Sequence, residues 1–364
     1  MGVSDVVVGG GPPRAPRRSL DAGLVTAQAY GLGFDLVGIT QLGPVPTADA
    51  FERWLEAGRA GEMGWLERGL WKRQDSRRPV PGATTAVVVA LEYGGREPDG
   101  PISRYARGMD YHDIVVGRLR ELQDWMGEQL GAPVPGRAYS DTGPLLERDL
   151  ARRAGLGWFG KNTLLINPSR GSYFFLGALL VELDIAPSPP FEADRCGSCT
   201  RCLDACPTGA LVGPRELDAT RCISYLTIEI KGAIPAELRE GIGGHIYGCD
   251  DCQSCCPWNV SFARELGEPA FAAREVVARK DARSFARELL GMTQEEFSAA
   301  FKGSAVKRAK LRGMKRNAAV VLGNVGTAED IELLTSALDD PEPLVREHAA
   351  WALERLHARH TGHD

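Results

Sequence analysis

Helical and strand patterns alternate along the first half of the chain. In segments 50–59 and 112–131 the apolar residues recur every three to four positions, which is typical of amphipathic helices, and Gly131 is suited to end the second one. The segment 84–93, TTAVVVALEY, is instead continuously apolar and β-branched, which predicts a buried strand. These patterns predict helices and strands packed around a common core.

The next segments extend this first unit. Residues 137–141 favour a strand that leads into an acidic stretch, and residues 145–156 return to a helical pattern. Residues 162–183 are apolar on both sides of Pro168–Gly171, which predicts a hairpin that turns at these residues. We therefore expect an α/β domain over residues 18–185.

Two further units follow the proline-rich linker APSPPFEAD at 186–194. The unit over 186–264 contains all nine cysteines of the chain, and residues 265–364 have helical patterns. Within this last unit, 316–326 and 346–356 share an arginine, a following pair of alanines and apolar residues at matching offsets. This weak repeat favours HEAT-like helical repeats, with an ordinary helical bundle as the alternative.

Composition and charge exclude several classes of protein. The 364 residues are 43% hydrophobic and 25% charged, which is a globular composition, and the net charge of −5 excludes a wholly basic nucleic-acid binder. No apolar run approaches the ~20 residues of a membrane span. Residues 1–17 lack a signal-peptide core, so we expect a flexible lead and a cytoplasmic protein. In a reducing compartment, clustered cysteines favour metal ligation or thiol catalysis over disulfides.

The cysteines form two related motifs. The first is CxxCxxCxxxCP from Cys196 to Cys206, the spacing of bacterial ferredoxins with two 4Fe–4S clusters, in which the fourth cysteine reaches the other cluster. The second is CxxCxxCCP from Cys249 to Cys256. When the two Cys-Pro pairs are superposed, Ile246 occupies one ligand position of the second motif. The isolated Cys222 is the natural replacement for that ligand.

This alignment assigns four ligands to each of two clusters. The first cluster takes Cys196, Cys199, Cys202 and Cys256. The second takes Cys206, Cys222, Cys249 and Cys252, which leaves Cys255 over. A pair of zinc sites is the alternative, but the triple CxxCxxC followed by Cys-Pro favours iron–sulfur ligation. Cys255 could take the place of Cys256 as the cluster ligand. The proline that follows Cys256 favours Cys256, because the first motif also ends in Cys-Pro.

Outside the cysteines, several polar segments are candidates for chemistry. Asp141 follows a predicted strand, where an acid can lie at a pocket rim, although capping of the next helix is the simpler explanation. Arg104 belongs to the polar segment 102–112, which predicts either a ligand site or a solvated loop. The spelling GxGxxG at 155–160 lacks the preceding strand and following helix of a dinucleotide site, so we reject that function. A cobalamin-binding DxHxxG motif is absent from the sequence.

A strongly basic run lies beside the C-terminal repeat. Residues 300–316 contain seven positive side chains and no acid, although the whole chain is acidic. The seven are Lys302, Lys307, Arg308, Lys310, Arg312, Lys315 and Arg316. A solvated face is the usual explanation of such a run, but charge of one sign on a helical unit also suits contact with a phosphate backbone. Lys231 is a further isolated candidate.

Several of these stretches together resemble one known family. They include SDTGPLLERDLARRAGLGWFGKNTLLIN, GSYFFLGALLVEL, CGSCTRCLDACPTGAL, RCISYLTIE, GAIPAELR, YGCDDCQSCCPWN and SAVKRAKLRGMKRNAAVVLGN. Over roughly residues 18–356 the chain resembles the epoxyqueuosine reductase family, whose members are iron–sulfur and cobalamin enzymes that complete queuosine in tRNA. The pair RCISYLTIE and CDDCQ…CPWN is the most specific part of the match. The family usually has another residue at the position of Cys255.

The resemblance implies a reaction, its cofactors and its partners. Members reduce the epoxide of epoxyqueuosine in the tRNA anticodon by two electrons, with two 4Fe–4S clusters, base-off cobalamin and an external low-potential electron donor. Asp141 matches the catalytic acid, which also lies at the cofactor. The further cofactor contacts that we carry over are Trp158, Asn162, Ser224 and Tyr225, to which we add Arg104. We expect tRNA to bind Lys231 and the basic segment 302–316, and we expect a monomer with no membrane attachment.

The resulting expectation is an α+β multidomain protein. It comprises an α/β cobalamin-binding domain, a two-cluster domain like bacterial ferredoxins, and a C-terminal helical HEAT-like domain that binds tRNA. Two other functions remain open. Reductive dehalogenases combine the same cofactors, but they usually have an export signal and no basic helical tail. A ferredoxin-like electron carrier is the second alternative, and the large first domain argues against it.

Overall fold

A four-stranded sheet forms the first unit of the computed structural model, which describes residues 18–361. The strands of this unit are β1 (Leu36–Gln41), β2 (Thr85–Glu92), β3 (Gly136–Tyr139), β4 (Trp158–Phe159), β5 (Leu165–Ile166) and β6 (Phe174–Val181). Its helices are α1 (Ala22–Gly31), α2 (Ala48–Glu56), α3 (Trp65–Arg68), α4 (Leu70–Arg73), α5 (Tyr111–Leu130) and α6 (Glu147–Arg153). The sheet has the order β1-β2-β6-β3, and β4 pairs with β5 separately.

Strand β2 explains the continuous apolar run in the sequence. All of its residues are buried, because the sheet is covered on both faces. Val87 and Val89 point into the core on the α5 side, whereas Val88 and Ala90 point into a second core on the α6 side. Helix α5 ends as predicted at Gly131, whose φ of 64° suits glycine.

The strand pairing has two features that the sequence pattern did not predict. All pairings in the main sheet are antiparallel, although helices and strands alternate along the chain. The turn at 168–171 is present, and Asn167 bridges to Gly171, but the predicted hairpin is wrong because β5 pairs with β4 while β6 pairs with β2 and β3. The turn instead packs against the side chain of Asn259. A Cβ at Gly171 would lie 2.1 Å from Asn259 Oδ1, so glycine is needed there.

Short elements build the cysteine-rich unit. They are α7 (Arg201–Asp204), β7 (Leu211–Gly213), β8 (Glu216–Leu217), a π-helical turn at Tyr225–Glu229, α8 (Ala236–Arg239), α9 (Asp251–Ser254) and α10 (Pro257–Phe262). Because these elements are so short, the unit depends on its neighbours for burial. Helix α10 is held against the first unit by Asn259, whose Oδ1 accepts a hydrogen bond from the Ser172 N–H at 2.6 Å.

The C-terminal unit is helical, as predicted. It contains α11 (Ala282–Gly291), α12 (Gln294–Ala300), α13 (Lys310–Val325), α14 (Ile331–Ser336) and α15 (Pro343–Thr361). The two similar segments lie in α13 and α15, which pack closely at Gly323, where a Cβ would meet the Trp351 ring at 2.5 Å. The core of this unit continues into residues 219–247 of the cysteine-rich unit. Among residues 18–361, no helix is long and apolar enough to cross a membrane.

Candidate functional site

Four thiols from separate parts of the cysteine-rich unit line one cavity. Cys196, Cys199 and Cys202 come from the loop before α7 and from α7 itself, and Cys256 comes from the residue that precedes α10. The cavity has a volume of about 340 Å³. All nine cysteines of the chain are free thiols in this structure. The donor set therefore has the number and type of ligands that a cuboidal iron–sulfur cluster takes.

Protein N–H groups point at this first set of thiols and fix its loop. The Trp158 indole N–H donates to Cys196 Sγ at 3.4 Å. Lys161 Nζ donates to the carbonyl oxygens of Gly197 and Cys199 at 2.7 and 2.9 Å. Hydrogen bonds to ligand sulfurs are among the contacts by which proteins tune iron–sulfur potentials.

A second set of thiols lies next to the core of the C-terminal unit, against which Cys222 and Cys249 pack. Burial raises the pKa of Cys222, and the nearby Cys206 adds to the effect. Burial likewise raises the pKa of Cys249, with a contribution from Cys252 and Cys222. Cys222 thus lies within electrostatic reach of Cys206, Cys249 and Cys252, while their ligation of one cluster stays a prediction. The pKa of Cys252 is raised by burial, then by the charge of Cys222 and more weakly by that of Cys202. Because Cys202 belongs to the first set, the two sets are adjacent.

Cys255 lies beside the first set without lining its cavity. It forms the C-terminal cap of α9, whereas Cys256, the next residue, faces the cavity. Burial, followed by the charges of Cys202 and Cys256, raises the pKa of Cys255 to about 11. The geometry therefore places Cys256 with the ligands of the first set, while ligation itself stays a prediction. The raised pKa keeps Cys255 protonated at neutral pH.

Asp141 lies on an exposed turn after β3, not at a helix cap. Helix α6 has Leu146 at its N-cap position and no side-chain cap. Asp141 has a φ of 59°, a left-handed conformation that is uncommon outside glycine, and its side chain is 73% exposed. The Tyr111 hydroxyl donates to Asp141 Oδ2 at 2.9 Å. The turn thus presents a carboxyl group whose outer face is open to a substrate.

Two neighbours orient this turn. The Asp141 backbone N–H donates to Glu147 Oε1 at 2.8 Å. Burial and then the nearby Asp141 raise the pKa of Glu147 to about 8, so Glu147 is mostly protonated at neutral pH. His112 Nε2 lies 3.9 Å from Asp141 Oδ2, while His112 Nδ1 lies 2.6 Å from Asp110 Oδ1.

The other predicted cofactor contacts are engaged with protein groups. The Asn162 amide donates to the Cys252 carbonyl at 3.0 Å, and Ser224 hydrogen-bonds to Cys222, so both residues support the second set of thiols. The Tyr225 hydroxyl accepts a hydrogen bond from the Glu62 N–H at 2.8 Å.

Arg104 is buried rather than placed on a solvated loop. Its guanidinium lies 3.0 Å from Asp99 and 3.4 Å from Asp250, and it donates to the Tyr173 hydroxyl at 2.9 Å. These contacts tie the segment before α5 to α9. They give Arg104 a structural role, and little of its guanidinium remains available to bind a cofactor.

The basic segment divides into exposed, paired and buried side chains. The exposed ones are Lys302, Lys307, Arg308 and Lys310, and Arg312 is half-buried. Arg308 makes a bidentate ion pair with Glu229, at 2.5 and 2.9 Å, and lies 5.2 Å from the Trp65 ring centroid. These hydrogen bonds, and more weakly Asp141, raise the pKa of Arg308, so this end of the segment lies near the exposed acid.

Two residues of the predicted RNA-binding set do not fit that function. Lys315 is paired with Asp340 at 3.1 Å, and its side chain is mostly covered. Arg316 is a correction to the prediction, because it is only 1% exposed. Its guanidinium donates to the carbonyl oxygens of Leu226, Ile230 and Gly232 at 2.8 to 2.9 Å, so it fastens α13 to the π-helical turn and cannot reach RNA.

Replacing Arg316 by Ala is expected to destabilise the fold by about 3 kcal/mol, because several buried carbonyl groups lose their donor. Chemical denaturation of the variant checks this value. The exposed Lys307→Ala is the matched control and should change the free energy of unfolding by less than about 0.5 kcal/mol. An Arg316→Ala protein of normal stability with weakened RNA binding would contradict the structural role.

Sequence reasoning missed Glu147 and Lys161. Both lie inside the quoted motif SDTGPLLERDLARRAGLGWFGKN, but no spacing rule marks them. Their roles depend on contacts with Asp141 and with the loop of Cys196, which only the folded chain shows.

Comparisons with known proteins agree with this site. A family profile described as a 4Fe–4S double cluster binding domain matches residues 195–259, and one described as epoxyqueuosine reductase QueG, DUF1730, matches residues 73–142. The chain is 43% identical over 335 residues to the epoxyqueuosine reductase of Pseudomonas aeruginosa, covering 89% of this chain and 91% of the relative.

Solved structures give the same result. A crystal structure of epoxyqueuosine reductase with an epoxyqueuosine-modified tRNA-Tyr stem loop has 32% identity and a TM-score of 0.81, covering 92% of this chain and 89% of that one. The Bacillus subtilis enzyme, with its catalytic aspartate loop swung out of the active site, has 32% identity and a TM-score of 0.81, covering 92% and 90%. With this identity over nearly the whole chain, the protein belongs to the epoxyqueuosine reductase family.

Proposed function

We propose that the protein reduces the epoxide of epoxyqueuosine in the anticodon loop of tRNA to the cyclopentene of queuosine, in the cytoplasm. The observation that carries this proposal is the exposed Asp141 carboxyl, held by Tyr111 on a left-handed turn within electrostatic reach of the basic segment. The related structure that contains an epoxyqueuosine-modified stem loop supports the substrate. Anaerobic incubation with that tRNA and a strong reductant tests it, because the modified nucleoside should lose one oxygen atom.

The balance of the reaction defines what the site must supply. An epoxide, two electrons and two protons give an alkene and one water molecule. The carbon–oxygen bonds break, and the departing oxygen takes up both protons. The protein must therefore deliver two electrons, protonate the departing oxygen and hold an RNA loop.

The two sets of thiols suit the electron supply. Cys196, Cys199, Cys202 and Cys256 would hold one cluster, and Cys206, Cys222, Cys249 and Cys252 would hold the other. When bound, such clusters accept and pass single electrons at low potential. The Trp158 indole N–H and the Ala210 N–H, which donate to Cys196 and Cys206 Sγ at 3.4 and 3.2 Å, stabilise thiolate charge on each set.

The base-off cobalamin that the family resemblance implies is proposed to be held beside Asp141. His112 lies next to this carboxyl, with its Nδ1 2.6 Å from Asp110 Oδ1 and its Nε2 3.9 Å from Asp141 Oδ2. The Asp141 carboxyl, which is 73% exposed, can accept a hydrogen bond from an amide side chain of a corrin. When bound, cobalamin would supply a strongly reducing cobalt centre to the epoxide.

Asp141 is proposed as the general acid for the departing oxygen. Its Oδ2 accepts from Tyr111, so its other oxygen is available to carry and donate a proton. Glu147 accepts the backbone N–H of Asp141 and is mostly protonated at neutral pH, so it holds the turn through a hydrogen bond rather than through a charge. Tyr111 and Glu147 are therefore positioning residues, and Asp141 is the residue that touches the substrate.

The exposed basic side chains are proposed to hold the tRNA loop. Lys231 lies near Arg308 and Lys310, since their positive charges contribute to lowering its pKa, after its burial. Lys307 is exposed and precedes Arg308 in the chain. Arg312 and Lys302 extend the same segment. Phosphate contacts from such side chains position a nucleic acid without reading its sequence.

Neutralising Lys307, Arg308 and Lys310 together by Gln is expected to weaken stem-loop binding and flatten its salt dependence. The slope of log K against log salt should fall by roughly 0.7 for each phosphate of the single-stranded loop that no longer binds a basic side chain. Binding titrations at several salt concentrations measure this slope. Lys315→Gln is the matched control, because the Lys315 side chain is only 16% exposed, whereas that of Arg308 is 52% exposed although it too has an acidic partner. An unchanged slope in the triple variant would remove this segment from the RNA-binding surface.

The remaining parts of the proposal concern the oligomeric state, the boundaries between the units and the electron donor. We propose that the protein acts as a monomer, with a HEAT-like C-terminal unit in which α13 and α15 stack, and with the boundaries 185/186 and 264/265 between its units. An external low-potential donor must supply the electrons, because the reaction consumes two for each tRNA. The packing of α13 against α15 supports the repeat, and the shared core across 219–247 joins the last two units.

A further inference from the structure

The two sets of thiols differ in their access to the protein surface. The cavity of Cys196 and Cys256 is bordered by exposed residues, including Arg195, Arg201 and Phe262. The second set instead lies against the core of the C-terminal unit, on which Cys222 and Cys249 pack. Electrons from an external donor therefore have the shorter path to the first set.

The border of the first cavity carries one sign of charge. Its ionisable residues other than cysteine are Lys161, Arg195 and Arg201, and no carboxylate lines it. Within residues 18–361, neither arginine forms an ion pair, so both charges are available to a partner. The adjacent acid, Asp194, is already paired with Arg215 at 2.5 Å. The border is thus a positive patch on a chain of net charge −5.

An aromatic chain runs from the surface to a ligand thiol. Phe262 is 41% exposed and stacks on Trp258 with ring centroids 5.5 Å apart. Trp258 contacts Trp158 edge-on at 5.0 Å, and the Trp158 indole N–H reaches Cys196 Sγ. Val260, on the same helix as Phe262, is 68% exposed. Exposed aromatic and apolar side chains surrounded by positive charge are typical of a protein interface rather than a phosphate-binding surface.

We propose that this docking face, formed by Arg195, Arg201, Trp258, Val260 and Phe262, binds a small acidic one-electron carrier protein that reduces the first cluster. The inference rests on the proposed function, since it names the partner of that reaction. Each reduced carrier loses one electron and the protein gains one, so two carriers are oxidised for each epoxide reduced. Redox complexes of this kind are small and transient, which matches a few charges around an apolar centre.

Charge reversal tests the docking face. The probe is a flavodoxin, an acidic flavoprotein, and the holoprotein variant is Arg195→Glu with Arg201→Glu. Its affinity for oxidised flavodoxin and the rate at which reduced flavodoxin reduces the clusters should both fall by roughly tenfold at low salt, and the difference should vanish at high salt. Arg195→Lys with Arg201→Lys should keep both values. Arg120→Glu, a reversal on the exposed face of α5, is the matched control and should change neither.

Two further measurements separate this inference from the proposed function and from changes in the clusters. Iron content and the cluster midpoint potentials, measured for every variant, show whether the loss arises from binding. Phe262→Ala should weaken flavodoxin binding at all salt concentrations, because its contribution is apolar. Unchanged flavodoxin affinity in both the double reversal and Phe262→Ala would overturn the docking face, as would weakened stem-loop binding with flavodoxin binding intact. Reduction of epoxyqueuosine tRNA by a chemical reductant would leave the proposed function standing in either case.

Discussion

Replacing Asp141 by Asn is expected to lower the turnover of epoxyqueuosine tRNA by roughly 10²–10⁴-fold while both clusters stay bound, which is the usual contribution of a general acid. Asn keeps the size of the side chain and can still accept from Tyr111, but it carries no acidic proton. Asn also tolerates the left-handed conformation of this turn. Single-turnover rates, with iron content and stem-loop affinity measured alongside, isolate the chemical step.

Glu147→Gln is the matched control for this experiment. It changes the neighbouring carboxyl to a neutral amide that can still accept the Asp141 N–H. Because Glu147 is mostly protonated at neutral pH, the variant should keep turnover within a few-fold of the original protein. Full activity in Asp141→Asn, or a collapse confined to Glu147→Gln, would move the acid to Glu147.

Replacing Cys256 by Ser is expected to remove one cluster, so that iron falls from about eight to about four atoms per chain. Cys255→Ser should keep about eight, because Cys256 and not Cys255 lines the cavity of the first set. Anaerobic reconstitution followed by iron analysis and electron paramagnetic resonance measures both variants. The two cysteines are adjacent and both buried or half-buried, so the comparison is closely matched.

The double variant Cys255→Ser with Cys256→Ser controls for the case in which Cys255 binds the cluster in place of a missing Cys256. Cys255 lies near Cys202 and Cys256, so it is the thiol best placed to replace a missing ligand. If Cys256→Ser keeps eight irons and only the double variant loses a cluster, Cys255 can serve as a spare ligand. If Cys255→Ser alone loses a cluster, the alignment of the two motifs is wrong.

The sequence predicted those features that depend on local spacing. The continuous apolar run of β2 and the helix ending at Gly131 follow from rules of burial and capping, and both are present. The cysteine motifs place Cys196, Cys199, Cys202 and Cys256 in one set, and these four line one cavity, while ligation of a cluster stays a prediction. The hairpin at 168–171 failed because two adjacent apolar segments say nothing about which strand each will pair with.

Features that depend on distant contacts were beyond the sequence. Arg316 lies in a run of positive charge, yet α13 turns this one side chain inwards onto carbonyl groups more than 80 residues away. The sequence suggested that Asp141 caps the next helix. Its actual partner, Tyr111, is 30 residues earlier in the chain, so no local pattern indicates the contact. Net charge likewise conceals the positive docking face, since its few residues come from separate segments.

Conversion of epoxyqueuosine in tRNA is the most direct test of the central claim. The cluster-loaded protein, supplied with cobalamin, is incubated anaerobically with tRNA that contains epoxyqueuosine and with a strong chemical reductant, and the nucleosides are analysed by mass spectrometry. We expect queuosine, lighter by one oxygen atom, to form in the complete mixture and to be nearly absent with Asp141→Asn or without reductant. Unchanged epoxyqueuosine in the presence of fully loaded, reduced protein that binds the tRNA would contradict the account.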